Sequence, residues 1–451
     1  MKKFLAILLS AVLMLSLTTT AFAADADLTG HTYKAYQIFS GTQAAGVDKL
    51  GNIQWGSGVN GAALLSALKS DTTFGNTFTN CDNAAAVADA MAGWTNGSTE
   101  AKAFAKLAYA NKNGDGVTCQ NGMTTLDAGY YLVVDTTVFE AGAENTVYNL
   151  ALLQLTNKDT FEIANKTSVP EVVKKVDDKN DSNTTEDAVE WQDSADYDIN
   201  DHVPFQLKAT LASHVTDYVT SKVVFHDTLS KGLTYDEGSY KVYLGEGEGR
   251  KDITDSFTIN VGNYSEANGT QITFTCNDVT VAAVGAGNNA VIVVEYTATL
   301  TEKANIGAAG NPNKVYLEYS NNPNNSESGD NTGKTPEDKV IVFTYKVVVD
   351  KVTENSAYDA TNDENGDGVD NAGNEKYLPL EGAGFTLYKK AADDSWAEVS
   401  DGDEDADNEI SGAAMTTFEW KGLDDGDYKL VETTTPPRLQ HHRRYLFYHH
   451  R

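Results

Sequence analysis

From residue 169 to about residue 342 the chain is a succession of short segments with strand periodicity. They read "VPFQLKATL", "SKVVFHDTL", "SYKVYLG", "QITFTC", "NAVIVVEYTATL" and "KVYLEYSN". In each, apolar residues recur at every second position, the period of a pleated strand with one buried face. Turns rich in Gly, Asn and Asp separate them. Strands this short and regular bury their apolar faces only against one another, in two packed sheets. Residues 169–342 are therefore expected to form a β-sandwich.

The flanks differ. Residues 24–168 mix strands ("HTYKAYQIFSG", "GYYLVVDTT", "TVYNLALLQLT") with two helical stretches, "GAALLSALKS" and an alanine-rich run from "NAAAVADAMAGW" to "STEAKAFAKLAYANK". That composition predicts an α+β domain. After the polar hinge "NNPNNSESGDNTGKTPED", residues 343–437 return to β character in "FTYKVVVDKV", "LEGAGFTLYKK", "TTFEWKGL" and "GDYKLVETTTP". The expected fold class is mainly β: an N-terminal α+β domain followed by two immunoglobulin-like β-sandwich domains, the last incomplete.

Residues 1–23 read as a secretory signal peptide. Two lysines precede an apolar run, and Ala21-Phe22-Ala23 has the small-x-small form of a cleavage site. No later stretch has the roughly 18 uninterrupted apolar residues of a membrane span. The formal net charge of −31 argues against nucleic acid or an anionic surface as partner. Three cysteines, Cys81, Cys119 and Cys276, are too few to staple an exported chain of this size. Cys81 and Cys119 are available to pair, and Cys276 is left over.

The strand "VPEVVKKVDD" contains the feature with chemical content. Val172, Lys174 and Val176 share one face at period 2, so an apolar face carries a lysine. A buried ammonium is costly, and burial favours the neutral amine. A neutral amine is a nucleophile. Beside an asparagine carboxamide it can attack the amide carbon and expel ammonia, leaving a Lys–Asn isopeptide bond. A buried, protonated carboxyl suits the proton transfers. Asp227 shares a face with Val223 and Phe225. Asn321 shares one with Val315, Leu317 and Tyr319. Taken singly, each has an ordinary reading: a snorkelled edge lysine, a turn cap and a loop residue.

The chain up to Pro437 resembles a backbone subunit of sortase-assembled pili of Gram-positive bacteria. The resemblance rests on "YQIFSG", "IQWG", "PEVVKKV", "FHDTLSKGL", "VEYTATL", "VYLEYSNNP", "LEGAGFTLYKK" and "GLDDGDYKLVETTTPP". The last two are similar to the collagen-adhesin B-type (CNA-B) repeat domain. The resemblance implies that Lys174, Asp227 and Asn321 form an isopeptide triad in the middle domain. Lys175 and Asn322 are neighbouring alternatives that strand parity disfavours. It places the E-box glutamate at Glu432 and the matching strand lysine at Lys351. It places the sortase acceptor at Lys166 of "FEIANKTSVP", where Asn165 stands in the position often held by proline. The implied function is that of a structural shaft subunit, not an enzyme. Its partners would be sortase and neighbouring subunits, or a host or glycan surface ligand. Other readings are a monomeric wall adhesin and a secreted glycan-active enzyme.

Neither a cofactor nor a metal is expected. "DENGDGVDNAGNE" matches the start of a calcium loop at Asp363, Asn365, Asp367 and Gly368, but Asn374 stands where glutamate is needed. In the first unit Asp135 of "GYYLVVD" stands at an E-box-like position with no identifiable lysine or asparagine. Residues 438–451, "RLQHHRRYLFYHHR", hold four of the chain's five arginines and four of its eight histidines. The resembled motif continues Gly-Tyr-Asn. Read one base out of frame, codons for Gly-Tyr-Asn-Thr-Ile give Arg-Leu-Gln-His-His, which is residues 438–442. The tail therefore reads as out of frame. The expectation is a third domain without its last strand, no partner for Lys351 and Glu432, a bare sheet edge, and a freely secreted chain lacking the sorting signal.

Overall fold

A computed structural model describes residues 31–43, 50–94, 98–119, 126–148, 168–178, 190–324, 331–400 and 408–436. It also gives the backbone strands 152–156 and 444–449. The signal-peptide residues and Lys166 lie outside the described residues.

The N-terminal unit is an antiparallel sheet with Tyr33–Gln43 between Leu50–Trp55 and Gly129–Asp135, and Leu152–Thr156 beyond the latter. Helices Gly61–Ser70, Ala84–Ala90 and Thr99–Ala110 cover one face, burying Leu64, Val87 and Phe104 against Ile38, Phe39 and Leu132. Asn60, Asn83 and Ser98 cap these helices with side-chain oxygens that accept the backbone N–H three residues on. The alanine-rich run is two helices rather than one. Gly93 takes φ +93 after the first, and Ser98 caps the next. Cys81 is buried, with Sγ 3.4 Å from the Ala86 carbonyl. Cys119 lies on Val117–Cys119, the strand paired with Tyr33–Ala35. The pairing considered for Cys81 and Cys119 is not formed, because the first faces the helical core and the second an edge strand.

The middle unit is a sandwich. One sheet runs Thr258–Val261, Thr270–Cys276, Val223–Leu229, Asn311–Ser320, Asp338–Phe343, Ser194–Asp196. The other runs Lys251–Asp252, Lys241–Leu244, Val291–Leu300, His202–Thr210, Glu171–Asp177, Trp191–Gln192. His202–Thr210 shows why. Val203, Phe205, Leu207 and Ala209 are fully buried, and the residues between them are not. The facing sheet supplies Val223, Phe225, Ile272, Phe274, Val315 and Leu317 to the same core. Burying each such side chain contributes about 1.5–3 kcal/mol. The chain enters through Glu171–Asp177 and leaves through Asp338–Phe343, directly into the third unit.

The third unit packs Phe385, Leu387, Phe418, Trp420, Tyr428 and Leu430 into its own core. Its larger sheet has the order Trp396–Glu398, Gly384–Lys390, Gly426–Thr434, Arg444–His449. This corrects the expectation of a bare edge. The tail supplies a strand, with Arg444 opposite Val431 and His449 opposite Gly426. Backbone hydrogen bonding makes a sheet edge tolerant of sequence, so an unrelated segment can occupy it.

Both joints between units are polar. Lys102 and Lys106 from the helix Thr99–Ala110 grip the side chain and carbonyl of Asp217. At the other end Asp198 accepts from Lys389 (2.6 Å) and from the Asp424 N–H (2.8 Å).

Candidate functional site

Strand parity puts Lys174 inside. Its side chain is 0% exposed, whereas Lys175 points outward to an ion pair with Asp193. The neighbouring alternative Lys175 is thereby set apart from the core. On the facing sheet Val223, Phe225, Asp227 and Leu229 point inward, and Asp227 is 1% exposed. The Lys174 amine contacts Asp227 Oδ2 directly. Two residues of the expected triad are therefore brought together across the sandwich.

The third is not. Asp227 lies opposite Val315 on the strand Asn311–Ser320, so Asn321 is six residues further along. Asn321 is buried in another place. Its Nδ2 donates to Thr146 Oγ1 (3.1 Å), and its carbonyl accepts from the Tyr148 N–H (2.7 Å). It seats the segment Thr146–Tyr148 of the N-terminal unit on the end of the sandwich. Asn322, the neighbouring alternative, accepts from the Asn324 N–H in a turn.

The asparagine at the level of Lys174 is Asn313, two residues before Val315 on the same face and 0% exposed. Tyr296, 2% exposed, joins the group from the strand Val291–Leu300. Its hydroxyl lies 3.2 Å from Lys174 Nζ, donates to Asp227 Oδ1 (2.9 Å) and accepts from Asn313 Nδ2 (2.7 Å). The amine and the carboxamide nitrogen share this hydroxyl, so they are at most 5.9 Å apart (3.2 + 2.7). Asn313 Oδ1 is buried with no hydrogen-bond partner among the described residues. Asn311, its neighbour on the same face, is instead satisfied by Asn305 and the Val342 carbonyl.

Phe205 stacks on Tyr296 with ring centroids 5.4 Å apart, and Lys174 Nζ sits 5.2 Å from the Phe205 ring. Water is excluded. Burial pushes the Lys174 amine down from its ordinary range and the Asp227 carboxyl up, with each partner's charge opposing the shift. Both shifts favour the uncharged pair, an amine beside a carboxylic acid. Asn313 has the same parity as Asn321, so alternation gave no means of choosing between them. Tyr296 was missed by the sequence reading, although its alternation with Val294 and Ala298 in "VEYTATL" is a signal that could have found its inward face.

In the third unit Lys351 Nζ lies 3.0 Å from both carboxylate oxygens of Glu432, above the Phe385 ring. The neighbouring edge strand Arg444–His449 contains no asparagine. In the first unit Asp135 accepts from the Thr137 N–H (3.0 Å) and faces His31 (2.7 Å). In the loop around residues 363–374, Asp363 accepts from the Gly366 and Gly368 N–H groups and Asp370 from those of Ala372 and Asn374. Its carboxylates bind their own backbone as turn residues do. No helix among the described residues is long and apolar enough to cross a membrane.

Residues 199–323 match the family model of the Gram-positive pilin backbone subunit 2, Cna-B-like domain. That span contains Asp227, Tyr296 and Asn313. Over 207 residues the chain is 28% identical to the trypsin-resistant surface T6 protein of Streptococcus pyogenes serotype M6, covering 42% of this chain. The chain spans about a third, 34%, of the length of that curated relative. The solved T6 backbone pilin of serotype M6 Streptococcus pyogenes, described as modular and three-domain with variable loops and extensions, is similar over 93% of this chain and 77% of its own. The TM-score is 0.52 at 18% identity. That likeness is one of fold.

Proposed function

We propose that this chain, similar to the backbone pilins of Gram-positive bacteria, is a shaft subunit of a cell-surface pilus. In this reading its middle sandwich is locked by an isopeptide bond between Lys174 and Asn313. The observation that carries the reading is the dry cluster of Lys174, Asp227, Tyr296 and Asn313, drawn from four strands and both sheets. A lysine with no solvent access is a poor stabilising device, since a buried ion pair barely repays its desolvation. It is a good nucleophile.

The neutral Lys174 amine attacks Cγ of Asn313. Its lone pair forms the Nζ–Cγ bond, and the Cγ–Nδ2 electrons leave with the nitrogen. Asp227 takes the proton that Nζ sheds and returns one to the departing group. The products are a secondary amide and ammonia, with no oxidant required. A fibre one subunit wide bears tension along its length, and a covalent tie between the sheets diverts that load from hydrogen bonds. Successive subunits would be joined by a sortase at Lys166, five residues before Glu171 (171 − 166) in the sequence. The whole would stand outside the cell, attached to the wall as part of the fibre.

Intact mass of the purified chain is the test. The protein should weigh one ammonia less than its sequence. Lys174→Ala and Asp227→Ala should each restore the full composition, apart from the substitution itself. A folded wild-type protein of full mass would refute the cross-link. For assembly, Lys166→Arg should abolish high-mass ladders with an intact sorting signal and the cognate sortase. Unchanged ladders would assign the acceptor to another lysine.

A further inference from the structure

We infer that Tyr296 is a proton relay in the Lys174–Asn313 condensation: its hydroxyl delivers to Asn313 Nδ2 the proton with which ammonia departs. The inference rests on the cross-linking role proposed above and adds a residue to it.

The two ends of the proton's path are on different atoms. The proton is released at Lys174 Nζ, which touches Asp227 Oδ2. It is needed at Asn313 Nδ2, which touches Tyr296 Oη at 2.7 Å. Tyr296 Oη in turn touches the other carboxyl oxygen, Asp227 Oδ1, at 2.9 Å. Nζ, Oδ2, Oδ1, Oη and Nδ2 therefore form a continuous chain from the atom that loses the proton to the atom that gains it. Each group in it is at most 2% exposed, so bulk water cannot serve instead.

The polarity of the bonds also fits. Before reaction Nδ2 is a planar amide nitrogen with no basic lone pair, and it donates to Tyr296 while Tyr296 donates to Asp227. After Nζ adds to Cγ, Nδ2 becomes pyramidal and basic. The hydroxyl then turns about its C–O bond from the carboxyl to the nitrogen. With the acid proton of Asp227 on Oδ1, Oη passes its own proton to Nδ2, Oδ1 passes its proton to Oη, and Oδ2 accepts the proton from Nζ. Tyr296 ends as it began, and Asp227 is again a carboxylic acid, with its proton now on Oδ2. A rotating hydroxyl can reverse its donor role in this way. Its ring, stacked on Phe205, stays fixed.

The test uses the full chain made by cell-free synthesis, with ammonia loss followed by mass at timed intervals. Tyr296→Phe keeps the stacked ring and removes the hydroxyl. It should slow cross-linking by roughly 100-fold or more, the scale of general acid–base assistance. Ring-fluorinated tyrosines installed at position 296 keep the hydroxyl's size and raise its acidity. Their rates should rise in order of phenol acidity, a dependence that packing alone would not produce. Cross-linking of Tyr296→Phe at the wild-type rate would overturn the relay. So would a fluorotyrosine series with equal rates, and that series decides the matter should the Phe variant fail to fold. Failure of the underlying reading has a different signature: wild-type protein that keeps its ammonia at all times.

Discussion

Replacing Asn313 by alanine removes the electrophile and leaves Lys174, Asp227 and Tyr296 in place. Its consequences follow from where the residue sits. A Lys174–Asn313 bond encloses 139 residues (313 − 174). Under tension those residues cannot extend. At about 3.5 Å per residue the bond withholds about 490 Å of contour length. What remains extensible at the exit is the stretch from Asn313 to Phe343, 30 residues (343 − 313), or about 100 Å. Single-molecule pulling on the wild-type chain should therefore show no long extension step from the middle unit. Asn313→Ala should add one of about 490 Å. The thermal consequence is separate. Closing a loop of this length removes about 5 kcal/mol of unfolded-state entropy, an upper value. For a sandwich of this size that corresponds to about 14 °C in Tm. Asn321→Ala is the matched control. It should leave mass and contour length unchanged and loosen only the seat of Thr146–Tyr148, seen as faster amide exchange there. If Asn321→Ala restores the ammonia and Asn313→Ala does not, the assignment is wrong.

Two pH dependences follow from the buried carboxyls. In Asn313→Ala, burial lowers the Lys174 pKa and raises that of Asp227. The folded pair, amine and acid, then carries as many protons as the unfolded pair, ammonium and carboxylate. Its contribution to stability should be flat near neutrality. It should fall below the ordinary Asp range, where the unfolded state gains a proton, and above the ordinary Lys range, where the unfolded state loses one. Urea unfolding across pH checks this, and a steep slope near pH 7 attributable to the pair would contradict it. At the joint with the third unit, burial raises Asp424 to about 9 despite Lys389, with Asp198, Asp196 and Asp425 adding to the rise. The folded state holds that proton more tightly, so the group's contribution is full below the unfolded pKa and is lost as pH rises toward about 9. Asp424→Asn should therefore raise Tm at pH 8, with the gain vanishing near pH 4. A lower Tm at pH 8 would show the ionised form to be favoured there by Lys389.

Alternation along single strands determined a good deal. It set the sandwich, the inward faces of Lys174 and Asp227, and the outward face of Lys175. It did so because a strand's period is a local property, fixed by backbone geometry. Level along the sandwich was not legible. Asn311, Asn313 and Asn321, the last just past the strand's end, have one parity, and only the pairing of Val223–Leu229 with Asn311–Ser320 sets which asparagine stands beside the lysine. Those strands are separated by more than eighty residues, and no hairpin turn fixes their register. The same limit hid the convergence of Lys174, Asp227 and Asn313 on the Tyr296 hydroxyl, since two of the four strands lie on the opposite sheet. It also hid the strand formed by residues 444–449. There the sequence led to the expectation of a bare edge, whereas an open edge is completed by backbone hydrogen bonds that any chain can make. Face is written in the neighbours of a residue, while partner depends on how distant strands pair, which only the assembled sheets decide.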